Sequence, residues 1–192
     1  MCDYDKVLAA VESKKHLFQP KNKIQSLFDR PIVMADAAHS FGASYHGKRS
    51  GAVADFSCYS FHAVKNLTTA EGGAVVWPDK PNLDNDWLYT QFQLYSLHGQ
   101  SKDAAAKLKP GAWEYDIIYP AYKCNMLTAA FGLKQLERFN GLIERRKRTS
   151  EIYDKTLLPT GIRRMPYARE DRQGNYHLYL VRVPRYHDRT TQ

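Results

Sequence analysis

Hydrophobic and polar positions sort this chain into helices and short strands. Near the start, Tyr4, Val7, Leu8 and Val11 recur at helical spacing, and Asp3 supplies a carboxylate suited to a cap. A helix from Asp3 to Lys15 is expected. From His16 to Arg30 the pattern lapses, broken by Gln19-Pro20-Lys21-Asn22, and leaves one helical turn at Ile24 to Phe28. Three short apolar runs follow: Ile32 to Ala35, Phe56 to Phe61, and the run from Gly72-Gly73 to Trp77. Bounded by Gly, Asp and Asn, they read as three strands of an α/β sheet. Gly42, Gly47 and Gly51 punctuate a turn-rich segment between the first two.

Further on, Pro78 to Asn85 reads as a loop. Trp87, Leu88, Phe92, Leu94 and Tyr95 predict a helix from Asp86 to Leu97, ended at His98-Gly99 with Gly99 as the cap. Ser101 to Tyr122 is long and irregular, with Trp113, Tyr115, Tyr119 and Tyr122 as its aromatic centre, the kind of segment usually tied to function or an interface. The longest helix is expected from about Thr128 to Leu157. Its apolar stripe is Phe131, Leu133, Leu136, Phe139, Leu142 and Ile143, and Pro159 ends it. A last strand, Tyr176 to Val183, follows.

Composition narrows the class. With 43% hydrophobic and 25% charged residues in 192, the chain has material for a core and falls outside the disordered range. No apolar run reaches the length of a membrane span, and Met1-Cys2-Asp3-Tyr4-Asp5 does not read as a signal peptide. Cys2, Cys58 and Cys124 match neither metal-ligand spacing nor a disulfide framework, so a reducing cytoplasm is expected. The net charge is +8, much of it after Arg138, in Arg145-Arg146-Lys147-Arg148 and later arginines. Glu137, Glu144 and Glu151 share that helix, so a solvated face is the plainer reading, and attraction to phosphorylated ligands also suits the charge. No nucleic-acid motif accompanies it, so neither a nucleic acid nor a membrane is expected as a partner.

The chemistry gathers at strand ends. Asp36 closes the first run and Lys65 lies just past the second, at loop mouths where open α/β sheets bind ligands. A lysine in an apolar, aromatic setting can serve as a Schiff-base amine. Pyridoxal 5'-phosphate needs such a lysine, a carboxylate for its pyridinium nitrogen, and hydroxyl or backbone donors for its phosphate. Asp36 and Ser60 are of the right types for the last two. Each also has a plainer reading: Lys65 as a solvated lysine, Asp36 as a turn cap, Ser60 as a satisfied core hydroxyl, and His39 and His62 as structural.

The pattern as a whole is more specific than its parts. Asp36-Ala37-Ala38-His39, Ser60-Phe61-His62-Ala63-Val64-Lys65-Asn66 and Glu71-Gly72-Gly73 together resemble the DegT/DnrJ/StrS family of nucleotide-sugar aminotransferases. The likeness continues through His98 to Ala104, Tyr122-Lys123-Cys124-Asn125-Met126, and the helix Ala129 to Glu137. It implies an α/β fold, part of a fold-type-I aminotransferase large domain, with a mixed sheet flanked by helices. Residues 1–127 would belong to the cofactor-binding large domain. Residues 128–192 would be a long connecting helix and the start of a small C-terminal domain.

The resemblance also implies roles. Lys65 would carry the cofactor aldehyde and move the proton, Asp36 would pair with the pyridinium, and Ser60 would bind the phosphate. Ala38 would lie under the ring, His39 near the cofactor hydroxyl, and Lys123 where the family often places an asparagine reaching the phosphate from a neighbouring subunit. Dehydratases related to this family replace the lysine with histidine, so Lys65 favours amino transfer. The implied reaction passes an amino group from an amino acid, glutamate foremost, to a keto sugar nucleotide, in polysaccharide or glycoconjugate synthesis, by a cytoplasmic homodimer. Family members run roughly twice this length, longer than a single-domain prior allows. The resemblance thus places the chain as a piece lacking the family's N-terminal glycine-rich phosphate loop and stacking aromatic. A catalytically silent remnant, acting only as a folded or partner-dependent subunit, is the alternative expectation.

Overall fold

In the computed structural model the described residues are 1–96 and 126–184. Three α-helices are defined there: α1 (Tyr4–Ser13), α2 (Asn85–Ser96) and α3 (Met126–Leu157). The strands are β1 (Met34–Asp36), β2 (Ser44–Tyr45), β3 (Lys48–Arg49), β4 (Phe56–Ser60), β5 (Gly73–Val76), β6 (Arg163–Arg164), β7 (Ala168–Arg169), β8 (Arg172–Gln173) and β9 (Val181–Arg182). Helix α1 begins as its sequence dictates, with Asp3 Oδ1 accepting from the Lys6 amide at 3.2 Å.

The three apolar runs form one mixed sheet in the order β1-β4-β5, with β1 parallel and β5 antiparallel to β4. On one face Phe56 packs with Leu83 of the loop before α2 and Leu88 of α2, flanked by Phe28, Ile32, Val75 and Trp77. On the other, Ser57 is fully buried beneath Ser50, and Phe41 meets Tyr59, Phe61 and Phe139 edge-on. Phe139 thereby docks α3 on the sheet.

β1 lies two residues later than the hydrophobic run predicts. Pro31 has no amide hydrogen, and the Val33 amide is taken at 2.8 Å by Asp55 Oδ2. Pairing therefore starts at Met34 and carries Asp36 into the strand. Asp55 is 2% exposed and also binds Arg30 at 2.7 and 3.0 Å and Lys80 at 2.7 Å. Burial opposes its charge, but Arg30, Lys80 and the Val33 amide outweigh that and hold the carboxyl below its ordinary range.

A second sheet, β3-β2-β8-β7, is absent from the sequence reading. His46 and Gly47 both take positive φ and close a two-residue hairpin between β2 and β3. The later hairpin β7–β8 adds to β2 through β8, so Arg172–Gln173 pair with Ser44–Tyr45 and Ala168–Arg169 form the outer strand. The expected strand from Tyr176 to Val183 reduces to β9, which pairs with β6. Tyr176 takes a φ of +54°, and Asn175 directs its side chain at neighbouring backbone, so the chain bends where a strand would run straight. The stripe on α3 is buried only in part: Phe139 is covered, whereas Leu133 and Leu136 remain exposed. The predicted Gly99 cap and the aromatic segment 101–122 lie outside the described residues.

Candidate cofactor site at the ends of β1 and β4

Because β1 and β4 are parallel, their last residues, Asp36 and Ser60, reach the same end of the sheet. Asp36 pairs with Cys58, and side chains alternate along a strand, so Asp36 and Ser60 leave from one face. The ladder continues one step beyond, where the Ala37 amide donates to the Cys58 carbonyl at 2.9 Å. Asp36 Oδ1 then accepts from the Ala38 amide at 3.1 Å, which turns the chain toward His39.

The loop carrying Lys65 is braced by its own hydroxyls. Ser60 Oγ accepts from the His62 amide at 3.4 Å, and the Lys65 amide donates to the His62 carbonyl at 2.9 Å. The Phe61 carbonyl receives both the Thr69 amide at 2.9 Å and Thr68 Oγ1 at 3.1 Å. Gly73, paired with Ser60, lets β5 close on this end: a Cβ there would stand 2.6 Å from the Tyr59 carbonyl oxygen. Lys65 is half-buried and Asp36 exposed, and among the described residues neither has an ion-pair partner. The site thus holds a carboxylate, a hydroxyl and an amine on two strand ends and one loop. Lys123 lies outside the described residues.

The residues that sequence reasoning passed over are Asn66, Asn175 and His177, which tie this mouth to the C-terminal segment. Asn175 Nδ2 donates to the carbonyls of His39 and Phe41, each at 2.8 Å, while its own carbonyl accepts from Asn66 Nδ2 at 2.8 Å. His177 Nδ1 lies 3.0 Å from Asn66 Oδ1, and its ring meets that of His39 at 4.8 Å between centroids. Both asparagines are buried, so their polar atoms need these partners. Burial pushes the His177 imidazolium down in pKa, and the charges of His39, Arg146 and Lys65 push it further. The sequence signal was slight: Asn66 follows the candidate lysine directly, but its partner Asn175 lies 109 positions away.

The donor set suits pyridoxal phosphate. An amine on a braced loop can take an aldehyde, an adjacent-strand carboxylate of the same sheet face can hold a pyridinium, and a strand-end hydroxyl can reach a phosphate. Among the described residues no group of His, Cys, Asp or Glu side chains could hold a metal ion. Nor is any helix there long and apolar enough to cross a membrane.

A mixed sheet with a carboxylate, a hydroxyl and a loop lysine at its strand ends defines an α/β protein with a candidate cofactor site, and comparison with known proteins names the family. The model of the DegT/DnrJ/EryC1/StrS aminotransferase family matches residues 29–192, and the chain belongs to this family. SpsC of Bacillus subtilis, a spore coat polysaccharide biosynthesis protein, is 32% identical over 185 residues, covering 95% of this chain and 42% of SpsC. Among solved structures, the candidate sugar aminotransferase Spr1654 of Streptococcus pneumoniae, in its PMP form, aligns with a TM-score of 0.86 at 45% identity. That alignment covers 96% of this chain and 47% of Spr1654, which has also been solved in a PLP form. PseC of Helicobacter pylori, an aminotransferase involved in pseudoaminic acid biosynthesis, aligns at 0.66 with 29% identity, over 88% of this chain and 41% of PseC. The chain therefore spans less than half the length of these relatives.

Proposed function

We propose that this chain forms part of a pyridoxal-phosphate-dependent aminotransferase that moves an amino group from an amino acid, glutamate foremost, to a keto sugar nucleotide. The observation that carries the reading is the convergence of Asp36, Ser60 and the Lys65 loop at one end of the β1–β4 pair, in a chain of this family. Bound pyridoxal phosphate supplies an aldehyde that holds an amino group and a ring that accepts charge from carbon. Asp36 keeps a proton on the ring nitrogen, since an anion beside a pyridinium favours its charged form. The Lys65 amine would hold the aldehyde between turnovers and would move a proton between the substrate carbon that bears the nitrogen and the cofactor carbon that takes it. Ser60 and Lys123 would bind the phosphate, Ala38 would leave room for the ring, and His39, braced by Asn175 and His177, would stand near the cofactor hydroxyl.

The setting is a cytoplasmic homodimer in polysaccharide or glycoconjugate synthesis. SpsC, named for spore coat polysaccharide biosynthesis, and PseC, for pseudoaminic acid biosynthesis, support that substrate class. Residues 1–127 belong to the cofactor-binding domain, and residues 128–192 lead into a second, smaller one. The test is donor turnover: with pyridoxal phosphate and a keto sugar nucleotide present, formation of 2-oxoglutarate from glutamate is expected, lost in Lys65→Ala. Undiminished formation in Lys65→Ala would remove Lys65 from the reaction.

A further inference from the structure

Lys65 is tied down on both sides along the chain. Before it, the Lys65 amide donates to the His62 carbonyl at 2.9 Å, closing a turn that carries Ala63 and the exposed Val64. After it stand Asn66 and Leu67, 6% and 4% exposed. Burial of Leu67 seats the loop in the core, but an apolar contact is non-directional and leaves the loop's orientation open. Asn66 supplies direction. Its Nδ2 donates to the Asn175 carbonyl at 2.8 Å, and its Oδ1 accepts from His177 Nδ1 at 3.0 Å, across 109 and 111 positions of chain. The planar carboxamide is therefore held at both of its polar atoms.

The plainer role for these bonds is to staple the C-terminal segment to the core. Asn175 already does so, since its Nδ2 spans the carbonyls of His39 and Phe41 at 2.8 Å each. What His177 adds is a second bond to the residue whose Cα lies about 3.8 Å from that of Lys65. Among the described residues the Lys65 ammonium has no ion-pair partner, so the backbone beneath it decides where the amine reaches. A long side chain multiplies any tilt of its Cα, and bond formation needs the amine within reach of a single carbon atom.

We infer that Asn66 and His177 are positioning residues for Lys65: through their hydrogen bond the C-terminal segment orients the lysine loop so that the amine meets the cofactor aldehyde. The inference rests on the reading of Lys65 as that amine. In the bonding step the neutral amine adds to the aldehyde carbon. The C–N double bond forms as the C–O bond breaks, and the oxygen leaves as water with the two hydrogens of the amine. Asn66 and His177 act on this step through the loop backbone. Their loss therefore weakens covalent capture and leaves the ring and phosphate contacts assigned to Asp36 and Ser60 in place.

Two forms of the cofactor separate the orientation of Lys65 from the integrity of the site. Pyridoxamine phosphate has the ring and phosphate of pyridoxal phosphate but no aldehyde, so it cannot bond to Lys65. Both are titrated calorimetrically against the full chain, and borohydride reduction with peptide mapping locates the bond made by pyridoxal phosphate. Asn66→Ala and His177→Leu, each checked for native circular dichroism, are expected to lose at least ~10-fold in pyridoxal phosphate affinity. Their affinity for pyridoxamine phosphate should change less than ~2-fold. His177→Asn sets an amide N–H near the place of Nδ1 and should bring pyridoxal phosphate affinity back to within ~3-fold of the parent. Should Asn66→Ala not fold, the two His177 variants carry the test. Unchanged pyridoxal phosphate affinity in His177→Leu overturns the inference. So does an equal loss for both cofactor forms, which would make the network a support of the whole site. A His177→Asn variant no better than His177→Leu overturns it as well. Label on Lys65 in the parent with the variants unaffected removes the positioning role and leaves the aminotransferase reading. Label away from Lys65 in the parent removes that reading itself.

Discussion

His177 Nδ1 lies 3.0 Å from Asn66 Oδ1, the residue directly after Lys65. Asn66 Nδ2 is engaged with the Asn175 carbonyl, so Oδ1 accepts and His177 Nδ1 carries the hydrogen. A histidine from the C-terminal segment thus steadies the lysine loop, while Asn175 from the same segment holds the carbonyls of His39 and Phe41.

Asn175→Ala removes the two bonds to His39 and Phe41 and leaves part-buried carbonyls without them. A loss of about 2–4 kcal/mol is expected, at roughly 1–2 kcal/mol per bond once the unpaired carbonyls are included. Denaturant unfolding measures it. A change below about 0.5 kcal/mol would show the clamp to be incidental.

His177 gives the fold a pH dependence. Its imidazolium pKa is lowered below 6.5 in the folded chain, by burial first and then by His39, Arg146 and Lys65. Below 6.5 the unfolded chain binds more protons than the folded one, so stability rises with pH there. The contribution is complete above 6.5 and is lost as pH falls from there through the lowered folded value. His177→Gln should flatten that part of the stability profile, read by thermal unfolding between pH 5 and 7.5. A slope unchanged in the variant would assign it to other groups.

Asp55 is the electrostatic pin of the sheet. Removing it in Asp55→Ala strands Arg30 and Lys80, and a cost of about 3 kcal/mol is expected, at the low end for a buried pair because both cations are partly exposed. Its lowered pKa means that its stabilisation is present above 3.8 and lost as pH falls through the folded value. The acid limb of the stability curve should therefore be shallower in Asp55→Ala.

Much of this architecture is legible in the pattern of residues. Strand pairs built on Met34–Asp36, Phe56–Ser60 and Gly73–Val76 follow from short apolar runs bounded by turn formers, and α1 from Asp3 and its helical spacing. The second sheet is not legible in the same way. Its strands are two residues long, too short for alternation to register, and Ser44–Tyr45 finds Arg172–Gln173 only once the chain has folded. The Asn66–Asn175–His177 network escapes for the same reason, because hydrogen bonds over such separations leave no periodic trace. β1 shifted because a single carboxylate, Asp55, captured the Val33 amide.

Gly73 sets how closely β5 approaches the site. Gly73→Ala would press a methyl against the Tyr59 carbonyl at 2.6 Å, a backbone atom that cannot swing aside. Destabilisation of about 1–3 kcal/mol is expected, with weaker pyridoxal phosphate binding as Ser60 shifts. A variant as stable as the parent and with equal affinity would mean that β5 adjusts freely.

The central claim is that Lys65 is the amine that receives the cofactor. Borohydride reduction of the chain with pyridoxal phosphate, followed by peptide mapping, measures this directly. The account predicts one pyridoxyl group on the peptide containing Lys65, with the label falling strongly in Asp36→Asn, which removes the anion proposed to pair with the ring nitrogen. Label on other lysines with Lys65 unmodified would contradict it.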